Sequence, residues 1–451
     1  MFSIIVTAYN SEKIINSTIN KLINKNRVEC FELIIVNDGS TDNTKNILHK
    51  YENIKNIKII NQINCGVSNA RNQGLKHLDK RSEFVTFIDD SDTISENFIE
   101  ESMKLFNKYP RLNVFVAPII ISKQNKEYGQ TLNYRFHTKE EYVDIFEDYS
   151  FIHFHIGGVV FRTKLFLRNN YRFKENLSYW EDAYLINNII INEGKYGLLK
   201  NSYYYYDRNN ENSLSKIAWN SNKRYAYHIK ENYLPLIKLS MEKYGYVIKY
   251  VQFLLSIHYL EFLLEHNQQY MKGLNYHTTS DFKLYSKKLL ENIDLDIINN
   301  LNCSTRYKVF LYELKNEKYS YKLNYKNIKL LIHEYSLLNK KMVFSFSDDI
   351  GDLSNNYSIT FIYKNNKTSN INVKSYKKVT MLGKSINDLS LGIFEAKIPI
   401  KMIIFGCKVK IEDTDNQIEV YVNNISAIKR IINRLIKKGN KNENISSITG
   451  V

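Results

Sequence analysis

The feature that most restricts the fold is an alternation that begins at the first residues of the chain. Runs rich in β-branched and aromatic residues at 3–7, 31–36, 57–60 and 84–88 are separated by stretches of helical periodicity. In the first of these stretches Ile14, Ile15, Thr18, Ile19, Leu22 and Ile23 share one helical face, and further helices are expected around 44–51 and 69–78. Parallel strands need crossover connections, so repeated βαβ units imply a mostly parallel sheet with helices on its faces. Ligands bind such sheets in the crevice beyond the carboxyl ends of the strands.

The fourth strand runs directly into negative charge. In FVTFIDDSDTI, residues 84–94, Asp89, Asp90 and Asp92 crowd the strand end. An unpaired buried carboxylate is costly, so these acids require water or a positive partner. Three other strand ends point to the same rim, with Thr7, Ala8 and Tyr9 in VTAYN, Asp38 in VNDGSTD, and Gly66 and Arg71 in NCGVSNARN. Each segment alone reads equally as a polar turn or a helix start. Together they bring an aromatic ring, carboxylates and an arginine to one crevice, a set that suits a nucleotide diphosphate. A hard cation such as Mn2+ or Mg2+ would then bridge carboxylate and phosphate oxygens.

Composition excludes several classes. The chain has 451 residues, 43% of them hydrophobic, with 4 Pro and 16 Gly, enough to bury a core in two or three domains and too ordered in composition for a disordered protein. Cys30, Cys65, Cys303 and Cys407 are scattered without ligand spacing, which indicates neither a disulfide framework nor a zinc site and fits a reducing cytoplasm. MFSIIVTAYN has neither a basic leader nor a cleavage site, so no secretion signal is expected. The most apolar window, residues 247–266, is broken by Lys249, Gln252, His258 and Glu261 and reads as a core helix rather than a membrane span. A formal charge of +16 attracts polyanions without choosing among them.

VTAYN, VNDGSTD, GVSNARNQG and FIDDSD, in this order, resemble the nucleotide-sugar half of the inverting family-2 glycosyltransferases of the GT-A fold. With the later elements, the resemblance spans roughly residues 1–215. It implies that Thr7, Ala8, Tyr9, Asp38 and Arg71 contact a UDP-type nucleotide, with Asp89 nearer the ribose. Asp90 or Asp92 would hold the metal diphosphate. The family's commoner spelling has a small residue second and acids third and fourth, whereas FIDDSD has an acid second and Ser91 third, so the register between Asp90 and Asp92 stays open. A sugar nucleotidyltransferase would carry a Gly-rich phosphate loop at the first strand end, which VTAYN lacks.

Further along, Glu181 and Asp182 open a helix containing Leu185, Ile186, Ile189 and Ile190, and acids in a first turn suit the helix dipole. The resemblance gives them a second role: Asp182 as the base that deprotonates the acceptor hydroxyl, Glu181 as its neighbour at the acceptor. It also implies that Arg208 and Ser213, after the Tyr203–Tyr206 strand, lie on a loop that closes over the donor diphosphate or the acceptor. Gly157 and Gly158 are expected to floor the acceptor cleft, and His153 and His155 to make packing or polar contacts, since no third ligand stands at zinc spacing.

Four regions are therefore expected. Residues 1–215 form the GT-A nucleotide-sugar domain and 216–338 a helical region. Residues 339–424, with short alternating segments that include 401–411, form a small β-sandwich, and 425–451 a basic amphipathic tail able to lie on an anionic membrane. The expected activity is metal-dependent, inverting transfer from a UDP-sugar to a hydroxyl of a cell-surface polysaccharide or teichoic-acid-like polymer. A polyanion-binding scaffold with a degenerate transferase head is the alternative. The expected partners are thus a UDP-sugar and a glycan or anionic polymer, not nucleic acid. Peripheral contact with the membrane's inner face and a homo-oligomer both fit this picture.

Overall fold

The computed structural model describes residues 1–423 apart from 26–30, 125, 178, 210–217, 265–266, 269–278, 321–327, 352, 354, 365, 369–370, 383 and 416. Ser213 and the basic tail at 425–451 lie outside the described residues. The chain divides into two compact units, one of Met1–His258 with Gln269–Ile293, the other of Tyr259–Gln268 with Asp294–Val451.

The first unit opens as the alternation requires. Strands β1 (Phe2–Ala8), β2 (Phe31–Asp38), β3 (Ile57–Gln62) and β4 (Phe84–Asp89) are joined by helices α1 (Ile15–Lys25), α2 (Thr44–His49) and α3 (Val67–Lys76). The strands pair in parallel in the order β3-β2-β1-β4. Every residue of β2 is buried, as expected of a parallel strand covered on both faces. The short strands β5 (Thr93–Ile94), β6 (Val114–Val116), β7 (Ile119–Lys123), β8 (Lys126–Gly129) and β9 (Tyr142–Asp144) follow, with helix α4 (Phe98–Lys108) between the first two. After them come β10 (Val159–Arg162), α5 (Lys164–Leu167), α6 (Glu181–Glu193), β11 (Lys195–Leu198) and β12 (Tyr204–Asp207). The main sheet continues from β4 through β10, β6, β11 and β9, with β10 antiparallel to both neighbours. A second sheet has the order β5-β12-β7-β8.

This is the expected GT-A arrangement, a large, mostly parallel sheet with helices. Its core runs through Ile4, Val6, Leu33 and Ile35 to Phe84, Phe98, Phe106 and Phe115. Residues 222–262 form a succession of short 3-10, π and α segments, the longest being Leu234–Tyr244 and Lys249–Tyr259. Two further helices follow, Ser280–Glu291 and Leu295–Asn300.

The second unit carries two four-stranded antiparallel sheets, β13-β14-β18-β17 and β16-β15-β19-β20. Their strands are β13 (Leu330–Ser336), β14 (Lys341–Phe346), β15 (Tyr357–Tyr363), β16 (Asn366–Thr368), β17 (Ile371–Met381), β18 (Lys384–Lys397), β19 (Lys408–Asp413) and β20 (Ile418–Asn423). Phe344 and Phe394 from one sheet and Phe361, Val409 and Ile411 from the other share one core, as a sandwich requires. The expected segment 401–411 is a strand only in its second half, within β19: Ile400–Phe405 is a helix. A six-residue apolar run fits either structure. Pro399 starts this one and Gly406, at φ 84°, ends it. No helix among the described residues is long and apolar enough to cross a membrane.

Candidate active site

The strand order reverses at β1: β2 and β3 lie on one side, β4 on the other, and Thr7 pairs with Asp89 across that switch. A crevice at such a point is where open α/β sheets take ligands. Its loops are stitched together by short polar contacts. The Asn10 amide donates to Ser40 Oγ at 3.0 Å, and Asn10 Oδ1 accepts from the Thr41 amide at 2.8 Å. Gly39 is required here, because at φ 69° a Cβ would stand 2.4 Å from the Asn64 nitrogen. Asp38 draws in the next loop, its carboxylate accepting from the amides of Cys65 (2.8 Å) and Gly66 (2.9 Å) and from Gln62 Nε2 (2.6 Å). The rim thus holds Thr7, buried Ala8, Asp38 and the Tyr9 ring, which is 49% exposed.

The three aspartates after β4 part ways. Asp89, with a side chain 43% exposed, faces the crevice. Asp90 turns toward β1, where its Oδ2 accepts from the Ser11 hydroxyl and from the Tyr9 amide, while its carbonyl accepts from Thr18 Oγ1 at 2.6 Å. Burial pushes its carboxyl up to about 6. Asp92 is 1% exposed and its oxygens are taken, Oδ2 by the Tyr204 hydroxyl (2.6 Å), Oδ1 by the Asp207 amide (2.9 Å) and Ser91 Oγ (3.2 Å). Burial, then the charge of Asp89, raises it well above the carboxylate range. Asp92 thus fastens the acidic turn to β12.

Arg71 links two parts of the site. It is 4% exposed and spans two acids, Nη2 donating to Asp89 Oδ1 and Nη1 to Glu181 Oε1, both at 3.0 Å. Its guanidinium lies 5.3 Å from the centre of the Phe173 ring. It joins the end of β4 to the start of α6. Beside Glu181, Asp182 accepts from the Ile156 amide on Oδ2 (3.2 Å) and from the Ala183 amide on Oδ1 (2.7 Å). Burial and the Glu181 charge, opposed by Arg71, push Asp182 up to about 7. Trp180, the residue before α6, is left-handed at φ 66° and stacks on His258 with ring centres 4.5 Å apart. Packing of this kind can hold a conformation that a bulky residue otherwise avoids. Arg208 is exposed just past β12, its charge felt by His155 and Tyr206.

Asp89, Glu181 and Asp182 thus act on Arg71, which reaches the first two, while Asp90 and Asp92 share the acidic turn with Asp89. That excess of negative charge, with Asp90 pushed up, fits a divalent cation arriving with a diphosphate. Among the described residues, no three His, Cys, Asp or Glu side chains converge as a metal cage. An ion of the magnesium or manganese kind, held by one or two carboxylates plus phosphate oxygens, needs no cage.

Residues 3–170 match the family model described as Glycosyl transferase family 2. Over 456 aligned residues the chain is 30% identical to the minor teichoic acid biosynthesis protein GgaA of Bacillus subtilis, covering 97% of this chain and 100% of that protein. The chain belongs to glycosyl transferase family 2. It is also 27% identical, over 222 residues, to the poly(ribitol-phosphate) β-N-acetylglucosaminyltransferase TarS of Staphylococcus aureus, an alignment covering 48% of this chain and 37% of TarS. The crystal structure of a TarS fragment in complex with UDP superposes with a TM-score of 0.51 at 19% identity, over 70% of this chain and 87% of that one, a likeness of fold.

Sequence reasoning about this family-2 transferase misses three supporting side chains. Tyr204 reaches Asp92 from 112 residues away, Ser11 holds Asp90, and Gln62 holds Asp38. None carries a local signal. The glycine pair offers an indirect one: a Cβ on Gly157 would stand 2.6 Å from the Tyr204 ring, so the pair marks where that ring passes.

Proposed function

We propose that this glycosyltransferase moves a sugar from a UDP-sugar to a hydroxyl of a teichoic-acid-like surface polymer, inverting the configuration at the transferred carbon. The observation that carries this reading is the Asp89–Arg71–Glu181 bridge, which ties an acid at the donor crevice to the helix start that presents Asp182. One side chain would thereby tie the donor crevice to the acid proposed for the acceptor. The names and match of GgaA and TarS support the polymer acceptor, and the structure of TarS with UDP supports the donor class.

In the proposed reaction the acceptor oxygen attacks the anomeric carbon as the bond to the diphosphate breaks. Asp182 takes the hydroxyl proton and UDP leaves with the bonding electrons. A carboxyl raised to about 7 is a stronger base than an ordinary aspartate and is still partly ionised at neutral pH. Thr7, Ala8, Tyr9 and Asp38 would frame the nucleotide, Tyr9 offering its exposed ring. Arg208, together with Ser213 outside the described residues, would meet the diphosphate. Asp89 and Asp90 would hold the divalent cation, with Asp92 keeping their turn in place. When bound, such an ion neutralises charge on the departing diphosphate. A single in-line step needs no covalent sugar intermediate, only positioning and electrostatic stabilisation.

The test is UDP release and polymer glycosylation with a panel of nucleotide sugars, with and without manganese, for wild type and Asp182→Asn. Transfer should fall about 10²- to 10⁴-fold in the variant, the usual contribution of a positioned base, with UDP affinity unchanged. Tight polymer binding with no turnover of any donor by the wild type would overturn the reading in favour of a scaffold.

A further inference from the structure

A fully buried guanidinium is expensive unless an acid accompanies it. Arg135, in the 3-10 helix Thr131–His137, is 0% exposed, and its polar partners are the Leu132 carbonyl (2.8 Å) and Nδ1 of His153 (2.6 Å), which is itself 0% exposed. Guanidinium only donates, so Nδ1 of His153 must be an acceptor and the ring proton must sit on Nε2. From there it donates to the His155 carbonyl at 2.6 Å. That carbonyl belongs to the same peptide group as the Ile156 N–H, which donates to Asp182 Oδ2 at 3.2 Å.

We propose that Arg135 and His153 are positioning residues for Asp182, acting through the 155–156 peptide. Four groups form one directional chain: guanidinium, imidazole, peptide, carboxylate. Each donates to the next, so the buried cation polarises the whole row toward Asp182, and hydrogen bonds in such chains strengthen one another. The loop is also tied to the helix that bears the acid. The His153 carbonyl accepts from Asn187 Nδ2 at 2.8 Å, and Asn187 Oδ1 in turn accepts from the Tyr250 hydroxyl at 2.8 Å. Asp182 is thus oriented from one side by this peptide and from the helix side by its own first turn. The other ionisable groups that act on it are Glu181 and Arg71, and the Tyr206 hydroxyl feels its charge. A carboxylate able to swing would meet the acceptor hydroxyl in the wrong geometry, and misplacement by about 1 Å can cost about 10²-fold in rate.

The inference rests on Asp182 as the base, and the experiment keeps the two separable. In the full chain, His153→Leu removes both ring contacts. His153→Gln keeps an acceptor and a donor, spaced much like the ring nitrogens. His153→Leu should lower kcat for transfer about 10- to 100-fold, leave KM for the donor and UDP affinity unchanged, and move the acid limb of the pH–rate profile upward. His153→Gln should recover most of the rate and the wild-type limb. Equal losses in both variants, or a wild-type profile in His153→Leu, would overturn the proposal. Retained transfer in Asp182→Asn, measured alongside, would instead overturn the base assignment. Should His153→Leu fail to fold, nitrogen-15 imidazole spectra of the wild type decide. The resonance missing from His153→Gln must show the Nε2–H tautomer throughout pH 5–8, and an Nδ1–H form or an imidazolium would refute the chain.

Discussion

Asp182→Asn should make the protein more stable while removing its activity, and the gain should depend on pH in a set direction. In the fold the Asp182 carboxyl is raised from 3.8 to about 7. A raised acid favours the folded state only while protonated, so ionisation costs stability progressively between those two values and by a constant amount above them. At about 1.4 kcal/mol per pH unit, the penalty by pH 8 is at most roughly 4 kcal/mol, and at pH 4 it is below about 1 kcal/mol. Asparagine removes the charge but can accept from only one of the Ile156 and Ala183 amides without turning its own NH2 on the other. That mismatch costs about 1–3 kcal/mol at every pH. The variant should therefore be destabilised by up to about 2–3 kcal/mol at pH 4 and stabilised by about 1–3 kcal/mol at pH 8. Denaturant unfolding followed by tryptophan fluorescence is the assay. The chain has 2 tryptophans, Trp180 and Trp219, and both lie in the first unit, so the signal reports the unit that bears the site. A stability difference that stays flat from pH 4 to 8 would refute the reasoning, because it would mean that Asp182 titrates alike in the folded and unfolded chain.

Asp89→Ala and Asp90→Ala should each weaken manganese-dependent UDP binding in calorimetry, whereas Asp92→Ala, which strands the Tyr204 hydroxyl and the Asp207 amide, should mainly cost about 1–3 kcal/mol of stability. Arg71→Lys cannot span Asp89 and Glu181 together. It keeps the positive charge but leaves one acid without its hydrogen bond, so it should destabilise the fold by about 1–3 kcal/mol while the acid limb of the transfer rate stays near its wild-type position, as a pH–rate series would reveal. Binding of an anionic polymer acceptor should fall steeply with added salt, since exposed charges are screened over about 10 Å at 0.1 M, while donor hydrolysis changes far less; equal salt responses would indicate a neutral acceptor.

The parallel half of the main sheet is legible in the sequence because its strands are buried on both faces and announce themselves as apolar runs, as FELIIV does in β2. Most of the other half is not. VFV, YVD and KYGL become β6, β9 and β11 only because neighbours distant in the chain pair with them, and three or four residues carry no period of their own. The same limit governs the site. FIDDSD declares a crowd of acids, yet which of them turns inward depends on Tyr204, and the role of Arg71 depends on Glu181, 110 residues away. Helix α6 is visible from its apolar period and opens at Glu181 as expected. The left-handed Trp180 before it has no signature, since glycine or asparagine is what such a position normally announces.

The stacking of Trp180 on His258 bears on where this protein can be cut. Ring packing from residues 228–258 covers the indole that sets the entry into α6, with His228 and Tyr233 edge-on at 5.5 and 5.4 Å beside the stacked His258. A fragment ending near residue 215 would keep every acid of the crevice and still lose the surface that fastens the Asp182 helix. Proteolysis or truncation between 215 and 258 should thus yield pieces that retain the donor motifs but fail at transfer. A shortened enzyme meant to remain competent has to run past His258.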